Sequence, residues 1–97
     1  MTTTRTRPSR LDTVTVLRAL ADPVRLELVR QLRTSGDPIA CGMFKTHVAK
    51  NTLSHHFKTL REAGVIVTYQ EAGRSFNVLQ QAALDEAFPG LLDAIVT

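Results

Sequence analysis

Asn51, Thr52, Ser54, His55 and Lys58 crowd short hydrogen-bonding and basic side chains into one stretch, KNTLSHHFKTLREAGVI, running from Lys50 to Ile66. They do not form a nucleophile–base pair, because Ser54 and His55 are adjacent on one helix and their side chains diverge. What such a set does well is offer amide, hydroxyl and imidazole groups to the edges of a partner. An Asn amide pairs bidentately with adenine in a major groove, and hydroxyls and imidazoles reach other base edges. Lys50 and Lys58 add charges suited to phosphates, which give affinity and salt dependence but no sequence information. His56 lies beside Phe57, and packing and reading remain equally open for it.

The chain carries a single cysteine, Cys41, which excludes an intrachain disulfide and a multi-cysteine zinc site. Two readings of it stand side by side: a buried apolar cysteine, or a redox switch that oxidation would trip. The histidines are His47, His55 and His56. Adjacent His55 and His56 point apart on a helix, so no metal site is expected, and no cofactor. No glycine-rich phosphate loop or catalytic metal spacing occurs, and an enzyme is not expected.

Several elements must position these groups. Leu53, Phe57 and Leu60 recur at i, i+4 and i+7, so the helix carrying the polar set has an apolar back, and Gly64 ends it. Ahead of it, a first helix is predicted from Ser9–Arg10 to about Ala21, with Leu11, Val14, Leu17, Leu20 and Ala21 as its stripe. Asp22-Pro23 then restarts a helix, an N-cap followed by the proline favoured at the first helical position, running to about Arg33. Its apolar residues are Leu26, Leu28, Val29 and Leu32, and Ser35-Gly36-Asp37-Pro38 ends it in a turn. Residues 39–48 fit neither period and predict a short strand or a ragged helix. Val65–Tyr69 and Ser75–Leu79 flank a turn at Glu71–Arg74 and predict a hairpin with Arg74 at its tip. That arginine is either a phosphate or minor-groove contact or a solvated tip. Residues 80–97 are helical in pattern, broken at Pro89-Gly90. Their Leu84, Phe88, Leu91, Leu92 and Ile95 predict partial cover by a second subunit.

With 97 residues and 43% hydrophobic content, the chain supports one small domain with a thin core. The net charge of +3 suits an anionic partner without demanding one. Residues 1–33 hold seven arginines against Asp12, Asp22 and Glu27, while residues 80–97 hold Asp85, Glu86 and Asp93 and no base. That asymmetry fits one basic face. Residues 1–9 read as a disordered basic arm, in which Arg5 and Arg7, with Arg10 beyond, either track phosphate or go unused; residues 10–97 form the domain. No apolar run is long enough to span a membrane, and the N-terminus has no secretory pattern, so a cytoplasmic location is expected.

Helix, helix, ill-defined segment, helix, hairpin, helix is the order of a winged helix-turn-helix domain, mostly α with a small β-hairpin. LRALADPVRLELVRQL, TLSHHFKTLREAGVI and EAGRSFNVL together resemble the ArsR/SmtB family of bacterial repressors, over roughly residues 11–79. The resemblance implies a homodimer joined through its first and last helices, a repressor that reads an inverted-repeat operator in double-stranded DNA and is released by an inducer. It implies recognition helices roughly 34–36 Å apart. It also places Ser54 and His55 on the exposed part of the reading helix. The paired cysteines near the helix-turn-helix, and the His and Asp ligands on the last helix, that mark the family's metal sensors are absent. That points to a non-metal or thiol-sensing branch. The inducer is open between the Cys41 thiol and a small organic ligand at the dimer interface. The rival class is a winged-helix module that binds protein, which would more often present apolar or acidic residues where this chain has Asn, Thr, Ser, His and Lys. RNA binding is disfavoured because aromatics are 5% of the chain and Phe57 and Phe76 hold core-like positions.

Overall fold

Asp12 and Asp22 are each extended in backbone and each start a helix. Asp12 accepts hydrogen bonds from the Thr15 amide at 2.9 Å and the Thr15 hydroxyl at 2.7 Å, and caps α1, Thr13–Leu20. Asp22 accepts from the amides of Val24 at 2.9 Å and Arg25 at 3.0 Å, and Pro23 opens α2, Pro23–Ser35. The computed structural model describes residues 11–96. The basic arm expected at residues 1–9 and the expected helix start at Ser9–Arg10 fall outside that span. Leu11 and Asp12 are not helical, so the helix begins later than the sequence predicts, because the Asp12 carboxylate satisfies the first-turn donors itself.

The caps hold their carboxyls below the usual range: Asp12 mainly through the Thr15 hydroxyl, Asp22 mainly through the Arg25 amide. Glu27, bonded by Arg30 and then Gln31, is brought from 4.5 to about 2. Each group binds its proton more readily unfolded. Their stabilisation is therefore complete above the ordinary carboxyl values of 3.8 and 4.5 and is lost as pH falls toward 2. The urea midpoint is expected to be clearly lower at about pH 3 than at about pH 6. A midpoint constant over that range would remove these groups from the account.

The remaining elements are β1 (Ile39–Ala40), a 3-10 turn (Cys41–Met43), α3 (Lys50–Glu62), β2 (Ile66–Glu71), β3 (Arg74–Leu79), α4 (Gln81–Ala87) and α5 (Leu91–Ile95). The segment that fitted neither period thus forms both a short strand and a short helical turn. One core joins Leu28, Val29 and Leu32 of α2 to Leu53, Phe57 and Leu60 of α3, to Ile66, and to Leu84 and Leu92 of the C-terminal helices. The expected α1 stripe is corrected. Val16, Ala19 and Leu20 are buried, whereas Val14 is 56% and Leu17 46% exposed. A two-turn helix can turn only one flank inward, and the i, i+3, i+4 set beginning at Val16 is the flank that meets α2 and α3.

The sheet runs β1-β3-β2, all antiparallel. Thr68 pairs with Asn77 and Tyr69 with Phe76, so Asn77 points inward and Phe76 outward. Phe76 is therefore not a core residue, contrary to expectation. Its ring stacks on Tyr69, centroids 5.6 Å apart. Asn77 is fully buried and takes the inner position because its polar atoms are met there. It accepts from the Thr68 hydroxyl at 2.8 Å and donates to the Ile39 carbonyl at 3.5 Å and the Cys41 sulfur at 3.2 Å.

Ala72-Gly73 is a two-residue loop with φ of 53° and 77°, the primed-turn geometry that favours Asn-Gly. An alanine there bears a left-handed conformation costing roughly 1–2 kcal/mol. Ala72→Asn is expected to stabilise the fold by about 0.5–1 kcal/mol. A melting temperature unchanged or lowered would show that the hairpin tip does not carry this strain.

Pro89-Gly90 separates α4 from α5 as predicted, with Gly90 at φ 83°. Arg33 of α2 holds this end of the chain. It is bonded to Asp93 and donates to the Val96 carbonyl at 2.9 Å.

Candidate nucleic-acid interface

Three devices fix α3. Its back, Leu53, Phe57 and Leu60, is buried, and Phe57 packs a tilted ring against Phe44 at 5.1 Å. At its C-terminus Gly64 adopts φ 82°, the Gly64 amide donates to the Arg61 carbonyl at 3.0 Å, and the Val65 amide to the Leu60 carbonyl at 3.0 Å. This is a Schellman end, with Leu60 and Val65 both fully buried beside it. A side chain at Gly64 would meet Leu11 Cδ2 at 2.7 Å as well as the positive φ. The third device is His56. Its Nδ1 lies 3.1 Å from an Arg25 guanidinium nitrogen and 3.9 Å from Asp22, and its side chain is 12% exposed. His56 therefore packs against α2.

The front of α3 is wholly exposed: Lys50, Asn51, Thr52, Ser54, His55 and Lys58 all face solvent. At about 100° per residue, Asn51, His55 and Lys58 lie opposite the core, Lys50 and Ser54 on one flank, and Thr52 on the other. Lys58 sits 3.9 Å from Glu62, both more than half exposed, a weak pair that a phosphate can replace. Rings of His55 and His56 lie 6.0 Å apart, tilted by 58°. Among the described residues, no three His, Cys, Asp or Glu side chains gather as a metal-ligand group.

Two features of this surface were missed from the sequence. Arg61 is an exposed cation seven residues after Ser54, on the same flank; its helical spacing was the available signal. The second is the start of the helix. Ala49 is the N-cap and has no side chain to offer, so the first α3 amides have no side-chain partner. The first helical bond is Leu53 N–H to the Ala49 carbonyl at 2.8 Å. Free amides at the positive end of a helix dipole suit an anion.

Loop 44–49 is placed by Gln31, whose amide group bonds the Lys45 peptide twice. It donates to the Lys45 carbonyl at 2.8 Å and accepts from the Lys45 N–H at 2.9 Å. Cys41 is half-buried, with its sulfur held by Asn77, so it is neither wholly sequestered nor free. It lines one cleft together with Lys50 and Ser54, a neighbourhood the sequence did not foretell. Arg74 opens β3 beside the hairpin loop, its guanidinium carbon 5.6 Å above the Phe76 ring. The tip arginine is thus supported by an aromatic face.

A small helical body that presents an exposed polar helix beside a two-stranded wing defines a winged helix-turn-helix DNA-binding domain. A helix-turn-helix domain model matches residues 20–69. An HTH-type transcriptional regulator of Bacillus subtilis, YceK, is 35% identical over 82 residues, 82% of each chain. Among solved structures, the transcriptional repressor BigR from Xylella fastidiosa superposes with a TM-score of 0.67 at 25% identity, covering 88% of this chain and 87% of its own. HlyU from Vibrio vulnificus gives 0.65 at 25% identity, covering 88% of each. The chain belongs to the helix-turn-helix family of transcriptional regulators, with the winged fold of the ArsR/SmtB type. It is a DNA-binding regulator and not an enzyme. No helix among the described residues is long and apolar enough to cross a membrane.

Proposed function

We propose that the chain is a homodimeric repressor that reads an inverted-repeat operator with α3 and is released by an inducer. The observation that carries this reading is the division of α3. A buried Leu53–Phe57–Leu60 back fixes the helix, and a continuous exposed front carries amide, hydroxyl, imidazole and ammonium groups with no apolar residue among them. Asn51, Ser54 and His55 face base edges, Thr52 the adjoining edge, and Lys50 and Lys58 the phosphates. Arg74, braced on Phe76, tracks the flanking backbone or minor groove. Dimerisation is supported by large apolar side chains left in solvent on both terminal helices: Val14 and Leu17 on α1, and Ile95, 38% exposed, on α5. A protein-binding winged helix finds no support on α3, whose exposed front carries no apolar side chain; the exposed Met43, Val67 and Tyr69 lie outside that front.

Fluorescence anisotropy against the DNA upstream of the chain's own gene, with a scrambled duplex of equal length at about 150 mM salt, tests the reading. A preference of about a thousandfold is expected. His55→Ala is expected to relax preference at one base position by at least about 1 kcal/mol. Lys58→Ala is expected to weaken all duplexes alike and lower the salt slope by about one for each phosphate it no longer neutralises. Variants that behave identically on every duplex would sink the division of roles. Sedimentation showing only monomer at the concentrations that bind DNA would sink the dimer.

A further inference from the structure

Ahead of α3 the chain makes one 3-10 turn, Cys41–Met43, and then runs extended at Phe44 and again at Ala49. So short a wall does not close against α3. A half-open cleft of about 350 Å³ remains between them, enough for one bicyclic aromatic molecule and at the lower end of small-molecule sites. Phe44, Val48, Leu53 and Phe57 supply apolar walls, and Lys50 and Ser54 of α3 stand among the polar lining groups. No carboxylate lines the cleft. Lys50 is its single charged group, and it occupies the first position of a helix whose opening amides have no side-chain cap. The apolar volume selects a hydrophobic body, and the lone cation without an opposing acid selects a negative charge.

We propose that this cleft binds a small aromatic carboxylate, its ring against Phe44, Leu53 and Phe57 and its charge at Lys50. Because Lys50 and Ser54 belong to both surfaces, occupancy removes groups that DNA needs, so ligand and operator compete. This regulatory half rests on the DNA-reading role of α3 given above; binding in the cleft does not.

Calorimetric titration of the full chain, without DNA, with 2-naphthoate and with neutral 2-naphthamide tests the site. One naphthoate per chain is expected, with the amide bound about tenfold more weakly. Amide resonances of residues 41–54 are expected to shift on binding in the wild-type chain. Val48→Phe, which fills the cleft, is expected to abolish both heat and shifts while leaving the melting temperature close to wild type. Absent heat and shifts at millimolar naphthoate overturn the site, as do shifts confined to other elements. Equal binding of acid and amide overturns the anionic assignment. Naphthoate that binds the cleft is expected to displace the upstream duplex in the anisotropy assay. Ligand bound there together with a duplex overturns the competition alone, and a chain that binds naphthoate but no duplex overturns the DNA-reading role instead.

Discussion

Arg25→Ala is expected to destabilise the domain by about 3 kcal/mol, measured by urea unfolding with an unchanged slope. The Arg25 Nε donates to the Ala19 carbonyl at 2.6 Å, one terminal nitrogen to the Arg18 carbonyl at 3.3 Å, and the other lies 3.1 Å from His56 Nδ1. Both carbonyls lie at the end of α1; that of Arg18 also accepts from the Ala21 amide at 3.2 Å, while the Ala19 carbonyl belongs to a buried residue. Truncation removes the guanidinium from the Ala19 carbonyl and from the largely buried imidazole, and hydrogen bonds from a charged donor are worth roughly 1.5–3 kcal/mol each before non-additivity. One side chain thus ties α1, α2 and α3 together at the point that sets the rotation of α3. Arg25→Lys separates fork geometry from charge, since an ammonium cannot span three acceptors set around a planar guanidinium. It is expected to recover less than half of the loss. A loss below about 1 kcal/mol for the alanine variant would show that water replaces these bonds.

Such a junction is hard to see in a sequence, and the contrast with α3 shows why. The 50–62 helix was legible because its back and front obey one period, and Gly64 supplies a stop whose chemistry is local. Asp22-Pro23 and the Glu71–Arg74 turn were legible on the same ground, since capping and turn formation need only near neighbours. Residues 39–48 were not. Their path is set by Gln31 gripping the Lys45 peptide and by Asn77 reaching Ile39 and Cys41, partners 14 to 38 residues away. No window along the chain contains both ends of those bonds.

The misreading of Phe76 has a related cause. Hydrophobicity alone turns Phe76 inward and Asn77 outward, and a strand shifted by one residue would do so. The register instead buries the amide, because Thr68, the Ile39 carbonyl and the Cys41 sulfur together meet it, while Tyr69 gives Phe76 an aromatic partner on the other face. The α1 stripe failed differently. Val14 and Leu17 were placed on one stripe with Leu20 because apolar character alone does not separate a face that meets the core from one that a second subunit would cover. Their exposure is what the proposed dimer would use.

Ala49→Asp is expected to move stability and DNA binding in opposite directions. An aspartate at the N-cap would accept from the free amides of the first α3 turn, and its charge would oppose the positive helix end, a gain of about 1 kcal/mol in folding. The same carboxylate would occupy the amides that a DNA phosphate would otherwise approach and would repel that phosphate, lowering affinity by about tenfold per subunit and so about a hundredfold in a dimer. Ala49→Ser distinguishes the two effects: it caps without charge, so it is expected to keep most of the stability gain and lose much less affinity. If Ala49→Asp raises the urea midpoint and leaves operator binding intact, the start of α3 stands clear of the backbone and the helix enters its groove further along. If affinity falls as expected, the bare alanine cap is a stability sacrifice at the binding surface, where an unmet helix end serves the ligand rather than the fold.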